Sequence, residues 1–142
     1  MAFDTNTEIA AYPAPEKDLY EVSEMPPLGY VPKSMYAWAI RRERHGELDK
    51  SFQVEVVDIP TLDSQEILVM VMVAGVNYKG VLAGLGVPIS PFDVHKAAYH
   101  IAGSDASGVV WAVGDKVTRW KVGDEVVVHC NQDDGDDEEC NR

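Results

Sequence analysis

The chain has 142 residues, room for one domain of ordinary size and not for two. A formal charge of -12 with 12 scattered basic residues argues against a nucleic-acid partner, because polyanion binding needs clustered cations that displace counterions. No stretch approaches the roughly 18 apolar residues of a membrane span, residues 1–11 lack the basic start and apolar run of a targeting signal, and two cysteines do not make a disulfide scaffold, so a cytoplasmic chain without a membrane partner is expected.

Residues 1–33 carry five of the eight prolines, at 13, 15, 26, 27 and 32. They predict an extended arm that wraps another surface, whether its own domain, a further domain or a neighbouring subunit. One short helix is expected over 15–22, where Pro15 suits a first helical position and Leu19 and Val22 make an apolar edge.

A β domain is predicted over 34–130. Residues 52–56 alternate apolar and polar side chains, the pattern of a strand with one buried face, and Pro60 prevents central ladder pairing beyond it. Residues 67–73 run without a polar break, which predicts a strand covered on both faces. At 77–81 the chain leaves that strand and enters a short helix. Gly80, Gly84 and Gly86 have neither the G-x-G-x-x-G spacing nor a strand leading straight into the first glycine. They predict a helix-ending loop and no dinucleotide cradle.

Gly103 and Gly108 read as bends, and the Gly-Asp steps at 114 and 123 as tight turns. Residues 125–130 read as a strand. Residues 131–142 read as an acidic loop at a truncated end, because six carboxylates within 133–139 repel one another and lack the ligand order of a calcium loop. Arg41, Arg42 and Arg44 read as a solvated strand end. His95, His100 and His129 have no nucleophile or paired carboxylate at useful spacing, so no catalytic role is assigned to them.

Four segments carry a resemblance: Met-Tyr-Ala-Trp-Ala-Ile-Arg-Arg-Glu at 35–43, Ala-Gly-Val-Asn-Tyr at 74–78, Tyr-His-Ile-Ala-Gly-Ser-Asp at 99–105 and Gly-Asp-Glu-Val-Val-Val-His-Cys at 123–130. Together they resemble the N-terminal GroES-like domain of the medium-chain dehydrogenase/reductase superfamily, and within it the crotonyl-CoA carboxylase/reductases. The resemblance implies a mainly β fold with short helices: a GroES-like bent β-barrel, incomplete and lacking the Rossmann domain. It implies that the chain is the N-terminal part of an NADPH-dependent enoyl-CoA reductase/carboxylase, which converts crotonyl-CoA to ethylmalonyl-CoA, and that it is inactive alone. The implied cofactor is NADPH, bound by the complete enzyme and not by this chain. The implied partners are the missing Rossmann domain or a complementary chain, an acyl-CoA substrate, and further copies in a homo-oligomer. The alternative is a non-catalytic, stand-alone GroES-like interaction module or a subunit of a split reductase.

The zinc-dependent alcohol dehydrogenases of the superfamily place a cysteine ligand at the corner after the buried strand and a His-Glu pair after the glycine equivalent to Gly103. Here there is no such cysteine, and Ser104 and Asp105 follow the glycine, so the three donors of a catalytic zinc are missing and no zinc is expected. In the resembled family the corner faces the catalytic cleft, which makes Asn77, Tyr78, Lys79, Ser104 and Asp105 candidates for the substrate and carbon dioxide cleft. That family usually reads Asn-Tyr-Asn-x-Val-Trp here, with the second Asn linked to carbon dioxide binding; this chain has Lys79 there and Leu82 in place of the Trp. An amide both donates and accepts, whereas an ammonium only donates and resists desolvation, so impaired carboxylation is expected. No catalytic, cofactor-binding or metal residue is carried over, because the family's acid/base residues lie beyond residue 142.

Overall fold

A computed structural model describes residues 15–128. The first part of the arm, the strand end at 129–130 and the acidic loop lie outside the described residues. In chain order the elements are β1 (Ser34–Ile40), a 3-10 turn (Arg42–Arg44), α1 (Leu48–Ser51), β2 (Gln53–Asp58), β3 (Ile67–Gly75), α2 (Tyr78–Leu85), α3 (Pro91–Val94), β4 (His100–Ile101), β5 (Asp105–Val113) and β6 (Glu125–Val128). The predicted class, mainly strands with short helices, is what forms. The strands make two three-stranded sheets, ordered β2-β1-β4 and β3-β5-β6, rather than one closed barrel.

The described chain divides into two units, the first comprising residues 15–38, 53–70 and 109–124 and the second 39–52, 71–108 and 125–128. In the first unit Tyr20, Pro26, Ala37, Val57, Val110 and Trp111 are buried. The Trp111 indole N–H donates to the Tyr30 carbonyl at 2.8 Å, which satisfies the one polar group of that ring. The helix expected over 15–22 does not form. The Tyr20 hydroxyl donates to the Pro15 carbonyl at 2.8 Å and accepts the Lys17 amide at 3.2 Å, so a side chain satisfies backbone groups that a helix would have used. Ser23, at φ 77°, then turns the chain out of helical space.

Two further expectations about this part of the sequence are corrected. Val54 and Val56, assigned to a buried face of β2, are 54% and 52% exposed, and the inward face carries Val57 instead. Alternation gave the period of β2 correctly but could not give which side the neighbouring layer lies on. Gly114 is not a positive-φ turn: a Cβ there would stand 2.3 Å from the Asp63 carbonyl oxygen, so its role is close backbone approach. Gly123, at φ +96°, is the turn that was predicted. Gly108 is not a bend but a buried residue within β5.

In β3 the expectation of cover on both faces fails at its C-terminal half, where Val71, Met72 and Val73 are 51%, 52% and 65% exposed. An uninterrupted apolar run records that the surface is to be covered. It does not say that the covering layer lies among the described residues.

The second unit buries Ala39 and Ile40 at the end of β1, which pairs antiparallel with β4 through Ala39↔Ile101 and Ile40↔His100. Helix α2 approaches α1 so closely that a Cβ on Gly84 would meet the Phe52 ring at 2.6 Å and Leu48 at 2.9 Å. The Gly84 carbonyl accepts from Gly46 N–H at 3.2 Å and lies 3.0 Å from the buried Ser51 hydroxyl and 3.3 Å from His45 Nδ1. A carbonyl only accepts, so His45 carries its proton on Nδ1 and its Nε2 accepts from the Ser90 hydroxyl at 2.9 Å. Ser90 in turn caps α3, accepting the Phe92 amide at 3.3 Å.

Candidate functional site

The corner singled out in the sequence is built on Asn77, the N-cap of α2. Its extended backbone, at φ -134° and ψ 168°, ends the run from β3, and its side-chain oxygen accepts the Lys79 amide at 2.8 Å. With the oxygen so engaged, the amide nitrogen points the other way and donates to Ser104 Oγ at 2.7 Å and to Asp105 Oδ2. Asn77 therefore has both N–H donors and one oxygen lone pair of its amide in use among protein groups. Gly75 allows the approach, since a Cβ there would stand 3.0 Å from the Asp105 Cβ. Gly103, at φ +114°, sets the bend that presents Ser104 and Asp105.

Three of the five candidates, Asn77, Ser104 and Asp105, are thus one bonded group, joined by the Lys79 backbone. Ser104 accepts from Asn77 and keeps its own O–H for donation, so it is the hydrogen-bond donor this group can offer to a ligand carbonyl. Tyr78 stands apart, 70% exposed.

Lys79 also belongs to a second feature of this unit. With Leu82, Ala83, Val87, Pro88, Ile89, Ser90, Pro91 and Val94 it lines an open hollow of about 350 Å³. Lys79 and Leu82, the two residues that depart from the resembled pattern, share this hollow. Its wall is otherwise apolar apart from Ser90, which His45 and the α3 cap already engage.

The glycines that resembled a phosphate loop are resolved by α2. Gly80 and Gly84 lie inside the helix and Gly86, at φ +72°, closes its C-terminus, so the helix extends further than the predicted helix-ending loop. A dinucleotide phosphate needs amide groups at a helix N-terminus after a glycine turn, and these glycines present a C-terminus instead. These three glycines do not form a dinucleotide phosphate turn, and among the described residues no group of three His, Cys, Asp or Glu side chains could hold a metal ion.

Two pairings were not visible in the sequence. His95 Nε2 and His100 Nδ1 lie 3.0 Å apart, across a loop whose spacing has no regular period. Arg42, expected to be a solvated strand end, is ion-paired with Asp93 at 2.6 Å and lies over the Phe92 ring. The Arg42 guanidinium hydrogen-bonded to Asp93 holds that carboxyl below the usual range. No spacing rule joins residues 51 positions apart.

The sequence model of the alcohol dehydrogenase GroES-like domain matches residues 63–142, and the chain belongs to that family. Within it the likeness is to the crotonyl-CoA carboxylase/reductases. The chain is 75% identical over 141 residues to the crotonyl-CoA carboxylase/reductase of Cereibacter sphaeroides, covering 99% of this chain and 33% of that one. A solved crotonyl-CoA carboxylase/reductase superposes with a TM-score of 0.83 at 73% identity, over 88% of this chain and 29% of that one. The 2-octenoyl-CoA carboxylase reductase CinF, solved in complex with NADP and 2-octenoyl-CoA, superposes with a TM-score of 0.64 at 35% identity, over 70% of this chain and 27% of that one. The chain thus spans about a third of the length of the relatives it matches. Among the described residues no helix is long and apolar enough to cross a membrane.

Proposed function

We propose that this chain is the acyl-CoA-facing N-terminal part of an NADPH-dependent enoyl-CoA reductase/carboxylase. The observation that carries the reading is the Asn77 brace, which gathers Ser104, Asp105 and the start of α2 into one corner of a chain 75% identical to a crotonyl-CoA carboxylase/reductase. Bound NADPH supplies the hydride in such an enzyme, and its site belongs to sequence outside these 142 residues. What this chain contributes is the corner itself. Asn77 holds Ser104 in place, and the Ser104 hydroxyl donates to the thioester carbonyl or to the electrophile that meets it.

Lys79 changes the fate of the activated substrate. Where the resembled pattern has a neutral amide, an ammonium on a four-carbon stem cannot accept a hydrogen bond, and it attracts water to the rim of an otherwise apolar hollow. Proton quenching is then favoured over carboxylation. In this reading the reaction is zinc-free, since Ser104 and Asp105 stand where the zinc-dependent alcohol dehydrogenases carry their His-Glu pair, and the complete enzyme is a cytoplasmic homo-oligomer.

The test has two arms. Titrated alone with NADPH, the chain shows no saturable binding and no turnover of crotonyl-CoA. Joined to the remaining two-thirds of the Cereibacter sphaeroides relative, it oxidises NADPH in the presence of crotonyl-CoA. Failure of a folded, NADPH-binding chimera to oxidise NADPH overturns the proposal, as does turnover by the chain unaided.

A further inference from the structure

The two imidazoles at 95 and 100 meet edge to edge. Their nitrogens are 3.0 Å apart, their ring centroids 5.2 Å apart, and their planes 19° from parallel. The centroid separation exceeds the nitrogen separation by about two ring radii, so the rings lie nearly in line and in plane rather than face to face. Each nitrogen lone pair or proton therefore points at the other ring, which is the geometry of one hydrogen bond.

The neighbouring amide fixes where the protons are. Ala97 N–H donates to His95 Nδ1 at 3.3 Å, so that nitrogen keeps its lone pair and the His95 proton sits on Nε2. That proton is donated to His100 Nδ1, which leaves the His100 proton on its own Nε2. The chain of bonds from Ala97 through His95 to His100 is complete only while both rings are neutral. Protonating His95 sets a hydrogen on Nδ1 against the Ala97 amide hydrogen. Protonating His100 sets one on Nδ1 against the His95 Nε2–H. The first costs only the Ala97 contact and leaves Nε2–H donating to His100; the second alone breaks the bond between the rings, turning its acceptor into a donor that faces a donor.

We propose that the His95–His100 pair is an acid-released latch: neutral, it fastens the end of α3 to β4, and a proton on His100 Nδ1 opens it. Both ends bear on the candidate site. His95 is the C-cap of α3, its amide bonded to the Pro91 carbonyl at 3.0 Å, and α3 supplies Pro91 and Val94 to the hollow. His100 pairs with Ile40 in the ladder, and β4 leads through Gly103 to Ser104 and Asp105. The latch is a property of the second unit and does not rest on the proposed reaction.

The charged and titratable surroundings favour the neutral pair. From α3, Asp93 is engaged by Arg42; from the turn after β1, His45 lies beyond the Phe92 ring, which packs against His95 at 5.5 Å. Arg41 follows Ile40 on the β1 side, and Lys96 and Tyr99 flank the two histidines in the chain. Among the described residues no carboxylate pairs with either ring. Burial, with the neighbouring His95, moves His100 below the ordinary value of 6.5.

The experiment is long-range proton–nitrogen correlation of the imidazoles in the labelled 142-residue chain, followed from roughly pH 8 to roughly pH 5. The expected result is the Nε2–H tautomer on both rings at the upper end, and a His100 midpoint below 6.5. The amides of residues 91–105 should shift together through that midpoint. In His95→Phe, which keeps a ring and removes the donor, the same amides should lose this concerted shift. An Nδ1–H tautomer on either ring of the unsubstituted chain at the upper pH overturns the latch, and so do amides at 91–105 that stay fixed while His100 titrates.

Discussion

Asn77 was marked in the sequence only through the resemblance, as a cleft candidate; its cap of α2 is what the structure adds. Its second role was not legible, because Ser104 and Asp105 come from 27 and 28 positions away and nothing local announces them. Removing the side chain in Asn77→Ala should cost about 1–2 kcal/mol in chemical denaturation, the usual loss for an N-cap with further partners. Asn77→Asp keeps the cap acceptor yet sets a carboxylate against Asp105. It should remain less stable than the parent at neutral pH, and a denaturation midpoint equal to the parent's would contradict the brace. The glycines divide in the same way. Gly114→Ala forces a methyl into the Asp63 and Ser64 carbonyls and should destabilise by about 2–3 kcal/mol or more. Gly80→Ala meets nothing within 4 Å inside α2 and should stabilise by about 0.5–1 kcal/mol. A sequence shows both simply as glycine.

At the scale of elements, the strands were read where turns bounded them. β1 starts at Ser34, close to the expected Met35, and β6 starts at the expected Glu125. Which face each strand buries was not readable, because that depends on the layer opposite: Val54, Val56, Val71, Met72 and Val73 carry a burial pattern and are exposed. The helix expected over 15–22 shows the converse, with one tyrosine hydroxyl enough to replace a marginal single-helix signal. The α3–β4 junction makes its own pH prediction. A histidine whose folded pKa is lowered binds a proton more weakly folded than unfolded, so its contribution is complete above 6.5 and is lost as pH falls through and below that value. The urea midpoint should fall over that range in the parent, and by less in His100→Asn. Equal slopes in the two proteins would remove the junction as the cause.

For the whole molecule, the resembled segments led to the family because they combine a β fold with specific strings at 100–105 and 128–134. The match over residues 63–142 covers both. The hollow was less legible: Lys79 and Leu82 share a helix face by their three-residue spacing, but Val87 to Val94, which close the wall opposite, follow no period. Apolar side chains left open in the second unit include Val73 and Val127 at 65% and 85% exposure. Sedimentation of the isolated chain should therefore show concentration-dependent association, weakened by Val73→Lys. A strictly monomeric chain over the same concentrations would count against that surface.

The central claim, that this corner belongs to an enoyl-CoA carboxylase/reductase and that Lys79 turns it from carboxylation toward proton quenching, comes down to one ratio. In the chimera completed with the relative's remaining sequence, carboxylated and merely reduced products are measured side by side from crotonyl-CoA, with and without Lys79→Asn. The account predicts mostly reduced product from the parent and a shift toward carboxylated product on substitution. A parent that carboxylates as fully as Lys79→Asn would contradict it.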